Sequence, residues 1–135
     1  MSPHPGGARL ATVTIPAPDL SPEAFLGHAE GVERGLWSRG GRWVAHRGVV
    51  AELRAGGAPG ADRFEEVGAA ARALAREPLL PEGVTRPPRV RFYGGFAFRP
   101  DHRGEGGWSD FLAWLFHLPE YELEGEESGD AWLRA

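Results

Sequence analysis

Three observations predict an α+β fold built on antiparallel β-sheet with two helices packed on the outside. Short β-branched or aromatic runs recur along the chain, glycine- and proline-rich turns separate them, and only two stretches carry helix-start chemistry. With 135 residues the chain reads as one domain, residues 1-135, with 1-8 expected to be flexible. A chain of this size buries roughly two-thirds of the surface exposed by its unfolded form, enough for a core without covalent staples. Hydrophobic residues make up 41% and charged residues 25%, so disorder is expected only at the ends.

The first strand is expected over Arg9 to Ile15, where β-branched residues are dense, with Pro16 and Pro18 stopping it. Ser21-Pro22-Glu23 then starts a helix of about two turns, Ser21 as the N-cap and Pro22 at the first helical position, burying Phe25 and Leu26. Val32 to Trp37 and Arg42 to Leu53 read as two strands joined by a hairpin turn at Gly40-Gly41. Gly48 interrupts the second of these and marks a bulge or a close backbone approach. Asp62 caps the longer helix, Arg63 to Arg76, whose apolar face is Phe64, Val67, Ala71 and Leu74. A proline-rich connector leads to a strand over Arg89 to Phe98, and Asp101 to Gly107 is a polar loop. Strands follow over Leu112 to Leu118 and Glu120 to Glu124, and Ala131 to Leu133 ends the chain as an edge strand. The order β-α-β-β then α-β-β-β suggests a structural repeat without a matching sequence repeat.

Composition removes several function classes. The formal net charge is −4, with basic residues scattered and outnumbered by acidic ones, so nucleic acid is not an expected partner. No apolar run approaches the ~20 residues that span a bilayer, and the amino terminus has no secretory pattern, which makes a cytoplasmic protein without membrane contact the expectation. Absence of cysteine excludes disulfides, thiolate metal sites and thiol nucleophiles. All 15 basic side chains are arginine, and there is no lysine, asparagine or glutamine, a composition that suits a heat-adapted source. The missing lysine also removes one kind of catalytic base.

The residues that could carry chemistry form no complete motif. The histidines, His4, His28, His46, His102 and His117, lack metal-ligand spacing and read as surface or strand residues. Glu120, Glu122 and Glu124 alternate on one strand face and read as a solvated face that discourages edge pairing. Gly94-Gly95 lies inside a strand with no helix behind it, so no phosphate cradle is expected. Trp37, Trp43, Trp108, Trp114 and Trp132 are expected mainly in packing, one or two of them in an apolar interface. Catalytic, cofactor-binding and metal-binding residues are therefore all assigned as none.

The segment Phe92-Tyr93-Gly94-Gly95-Phe96-Ala97-Phe98-Arg99-Pro100, followed by Trp108, Phe111 and Leu118-Pro119-Glu120, resembles the non-catalytic region that precedes the catalytic domain of isochorismate synthases. These are the menaquinone-type members of the chorismate-utilising enzymes. Leu36-Trp37, Trp43-Val44-Ala45 and the helix from Arg63 to Arg76 sit in matching order, so the resemblance spans most of the chain, its specific part running from Phe92 to Leu133. One departure is Arg99, where the family carries an acidic residue before the proline. The resemblance implies two packed antiparallel sheets with helices outside. It also implies a role in magnesium-dependent conversion of chorismate to isochorismate, performed by a separate chorismate-binding chain. The family's catalytic lysine, acid glutamate and magnesium-binding glutamates would follow Ala135 and match no position here. The alternative expectation is an orphan homo-oligomeric binding domain, a homodimer joined through open sheet edges. An independent small enzyme is a third, and its sign would be a pocket lined by Arg91, His102 or Glu122.

Overall fold

The computed structural model describes residues 10–55, 62–76, 78–84, 89–99, 101–102 and 106–135. In chain order the elements are β1 (Thr14–Pro16), α1 (Pro22–Gly27), β2 (Arg34–Arg39), β3 (Arg42–Arg47), β4 (Ala51–Arg54), α2 (Arg63–Leu74) and β5 (Tyr93–Phe96). A 3₁₀ turn at Gly106–Trp108 precedes β6 (Trp114–Leu118), β7 (Tyr121–Glu126) and β8 (Ala131–Arg134). The strands form a five-stranded sheet ordered β1-β8-β7-β3-β2 and a three-stranded sheet ordered β4-β6-β5. All pairings between these strands are antiparallel, as the α+β reading expects.

Local chemistry explains the helix starts and the first hairpin. Ser21 accepts a hydrogen bond from the Ala24 amide at 3.1 Å, and Pro22 begins α1. Asp62 accepts from the amides of Phe64 at 2.9 Å and Glu65 at 3.3 Å, with Glu65 and Glu66 in the first turn of α2. Gly40 and Gly41 both have positive φ, 57° and 78°, which gives the β2–β3 hairpin a turn that follows the strand twist.

The run from Arg42 to Leu53 is two strands in different sheets. Gly48, at φ 70°, turns the chain out of the large sheet; its amide donates to Glu33 and the next bonded amide, Val50, donates to Leu118 of the small sheet. What comes close to this glycine is a side chain and not the expected backbone: a Cβ there would stand 2.7 Å from the Glu120 carboxylate. β1 starts later than expected and includes Pro16, which an edge strand tolerates because one side of its ladder is open. β5 is confined to Tyr93–Phe96, shorter than the expected strand from Arg89 to Phe98. β8 is not an edge strand: it pairs with β7 on one side and β1 on the other. The suggested repeat does not organise the sheets, because each sheet combines strands from both halves of the chain. Residues 1–9, the prolines at 87 and 88 and part of the expected loop after Asp101 lie outside the described residues.

Strand alternation gives the large sheet two unlike faces. One face carries the cross-strand row Leu36, Ala45, Leu123, Leu133 and Ile15. Against this face lies α1, and Phe25, Ala45, Leu123 and Ala131 form a fully buried apolar cluster with Trp43, Tyr121 and Leu26 around it. The small sheet is backed by α2, through Trp114 Nε1 donating to Glu66 at 3.2 Å and the Phe64 and Phe96 rings 4.6 Å apart. Of the expected apolar face of α2, Val67, Ala71 and Leu74 are half-buried, while Phe64 remains exposed.

Candidate functional site: the layer and cavity between the sheets

The second face of the large sheet carries the row Gly35, His46, Glu122, Arg134 and Thr14. The small sheet turns Tyr93 and His117, themselves cross-strand partners, toward this row. The two sheets therefore meet through polar side chains.

Glu122 is the centre of that layer and only 3% exposed. Its Oε1 accepts from Arg91 Nη1 at 2.6 Å and from Arg134 Nη1, and its Oε2 accepts from the Tyr93 hydroxyl at 2.5 Å. Arg91 continues to Glu124, with Nη2 to Oε1 at 2.8 Å and Nη1 to Oε2 at 2.9 Å. A buried carboxylate is tolerable only when its charge is met in this way. The hydrogen bond to Glu124 raises the Arg91 pKa further and lowers that of Glu124. Burial, followed by the bond to Glu122, raises the Tyr93 pKa, so its hydroxyl stays protonated and donates.

His46 stacks on Tyr93 with ring centroids 3.9 Å apart and lies 5.3 Å from the His117 ring. It fits because Gly35 opposes it; a Cβ at that position would be 2.4 Å from His46 Nε2. Burial lowers the His46 pKa, and His117 lowers it further against the opposing pull of Glu122 and Glu33. His46 Nδ1, His117 Nε2 and Arg134 Nε are buried without a hydrogen-bond partner among the described residues. Among the described residues no group of three or more histidine, aspartate or glutamate side chains could hold a metal ion.

This arrangement corrects the reading of the acidic strand. Glu122 and Glu124 do share a face, but that face is the interlayer, where they bind arginines. Glu120 precedes β7 and is exposed. The missed signal was a pair of distant arginines, Arg91 and Arg134, which sequence order alone does not bring to Glu122. Of the histidines, His46 and His117 are strand residues in the layer and His28 is exposed. His102 sits apart, its Nε2 3.0 Å from the Phe111 carbonyl, and His4 lies outside the described residues. Bonded at both oxygens, Glu122 ties residues of the two sheets together.

Beside this layer opens a cavity of about 430 Å³. Leu10, Val50, Leu74, Val90, Leu118 and Pro119 give it apolar walls, while Arg91, Glu122 and Arg134 also border it. Two of the three residues named as signs of a pocket, Arg91 and Glu122, are thus present, and His102 is not.

Further along the same sheet face, the neighbouring row is Trp37, Val44, Glu124, Trp132 and Pro16. Trp37 is 68% exposed and Trp132 50%. Only Trp114 of the five tryptophans is buried, with Trp43 half-buried and Trp108 exposed, so packing accounts for fewer of them than expected. None of the helices described here is long and apolar enough to cross a membrane. No family model matches the chain, and neither a curated protein nor a solved structure does.

Proposed function

We propose that the chain is a non-catalytic support, related to the amino-terminal part of isochorismate synthase, for a chorismate-binding catalytic chain that converts chorismate to isochorismate. The observation that carries this reading is the pair of exposed tryptophans, Trp37 and Trp132, in one cross-strand row with the half-buried Val44. Exposed aromatic residues set together on a flat face favour a protein partner, because their burial contributes large area at low conformational entropy. Two antiparallel sheets with α1 and α2 on their outer sides agree with the architecture that the resemblance implies. These 135 residues contain no lysine, so the family's water-activating base is not among them. Pull-down of the tagged chain from its native lysate, followed by mass spectrometry, tests the reading. It requires retention of a chorismate-binding chain and isochorismate formation by the reconstituted mixture. A Trp37→Ser, Trp132→Ser double variant should lose that retention while keeping its fold.

A second reading, a homo-oligomeric binding domain, is favoured by one observation. β2 is a six-residue edge of the large sheet, and Leu36 and Trp37 on it are both exposed. Light scattering after size exclusion separates the two: a stable dimer that retains no catalytic chain supports the second and removes the first.

A further inference from the structure

We infer that the cavity beside the interlayer is a binding site for a small, neutral, mainly apolar molecule. Neither Trp37 nor Trp132 lines it, so this reading and that of the partner surface can each fail alone.

Its size and its walls point to a ligand. About 430 Å³ lies within the roughly 300–1,000 Å³ typical of small-molecule sites. The apolar walls come from separate parts of the chain: Leu10 before β1, Val50 before β4, Leu74 at the end of α2, Val90 before β5, Leu118 at the end of β6 and Pro119 just after it. Water in such a space finds few hydrogen-bond partners, so an apolar molecule that displaces it is favoured.

Charge decides the class of molecule. Among the described residues, the ionisable side chains that border the cavity are Arg91, Arg134, Glu120 and Glu122, two positive and two negative formal charges that cancel. Glu122 is held by Arg91, Arg134 and Tyr93, and Arg91 is also held by Glu124. A carboxylate ligand would meet one arginine donor without a partner among the described residues, the buried Arg134 Nε, and would otherwise have to take Arg91 or Arg134 from Glu122 and Glu124. An ammonium ligand would have to take Glu122 from its arginines or stay at the exposed Glu120, in solvent rather than against the apolar walls. Otherwise the ligand's own charge would lie desolvated against the apolar walls. Neutral ring compounds escape both penalties.

The test is titration of the ¹³C-labelled chain with 1-naphthol, 1-naphthoate and 1-naphthylmethylammonium at pH 7.5, followed by methyl chemical shifts. Saturable shifts at Ala11, Ala51, Val90 and Leu118 are expected with 1-naphthol, and binding roughly tenfold or more weaker with either ion. Ala51→Phe, which fills the cavity from β4, should abolish the 1-naphthol response; if that variant does not fold, Leu74→Trp from the end of α2 makes the same test. Shifts confined to residues around Trp37 and Trp132 would overturn the inference, as would no saturable response. Tighter binding of 1-naphthoate would also overturn it, by revealing arginines that release their partners for an anion.

Discussion

The two faces of the five-stranded sheet are built from the same strands, one residue out of phase, yet they are held by different physics. The face under α1 buries Phe25, Ala45, Leu123 and Ala131 and is held by apolar packing. The opposite face meets the small sheet through Glu122, Arg91, Arg134, Tyr93 and His46, and is held by directed bonds among charged and aromatic groups. Each face seats one ring over a cross-strand glycine. Trp43 lies over Gly125 on the α1 face, where a Cβ would come within 2.2 Å of the indole, and His46 lies over Gly35 on the other. The difference teaches that the α1 face carries most of the stability, whereas the polar face fixes where the second sheet sits.

The largest effect should come from breaking the α1 face. Phe25→Ala removes a ring that is 2% exposed and should destabilise the chain by about 3–5 kcal/mol, read as a lower urea midpoint. Next, Glu122→Gln takes away the charge that Arg134 and Arg91 share, and a loss of about 3 kcal/mol is expected. The same comparison is sharpened by Arg91→Met, Glu122→Leu, Tyr93→Phe and Arg134→Met together. That apolar interlayer should recover most of the stability lost by Glu122→Gln, because neither ion then lies unpaired. If the combined variant remains as unstable as Glu122→Gln alone, the polar layer supplies net stability and the α1 face does not carry most of it.

Acid should weaken the polar face and spare the other. His46 has a lowered pKa when folded, so the unfolded chain takes up its proton first. Its contribution is complete above the ordinary histidine value, about 6.5, and declines as pH falls through the lowered folded value. Glu124, also lowered, follows at more acid pH, as its pairing with Arg91 is lost below the usual carboxylate range. Urea midpoints measured from pH 8 to 5 should fall for the native chain and fall less for His46→Phe, which no longer takes up that proton. The smallest effect belongs to the Arg42–Glu126 pair at the sheet's solvent end. Both side chains are well exposed, so Arg42→Ala should change stability by about 0.5 kcal/mol or less in the same measurement.

Much of the fold could be read from residue order because its signals are local. Ser21 and Asp62 cap the two helices, Gly40-Gly41 turns the hairpin, and the period-two runs mark most strands. Gly48 was recognisable as an interruption, but a glycine within an apolar run does not say which sheet the chain enters next. The place of β8 shows the same limit: four residues near the chain end look like an edge, and only their pairing with both β1 and β7 makes them interior. The candidate site was less legible still. Period two put Glu122 and Glu124 on one face, and the distances that turn that face from solvated to buried depend on Arg91, 31 positions away from Glu122 in sequence, and on Arg134.

By itself, the sequence determined the α+β class, the helix starts, the first turn and the absence of lysine and cysteine chemistry, since each depends on residue type and near neighbours. Tertiary structure alone decided that the strands divide into sheets of five and three, that Glu122 is clamped between those sheets, that an apolar cavity opens beside it, and that Trp37 and Trp132 face outward. Those outcomes depend on which distant strands pair, and pairing is settled by the burial and charge compensation of the whole assembly of elements, which no local pattern encodes.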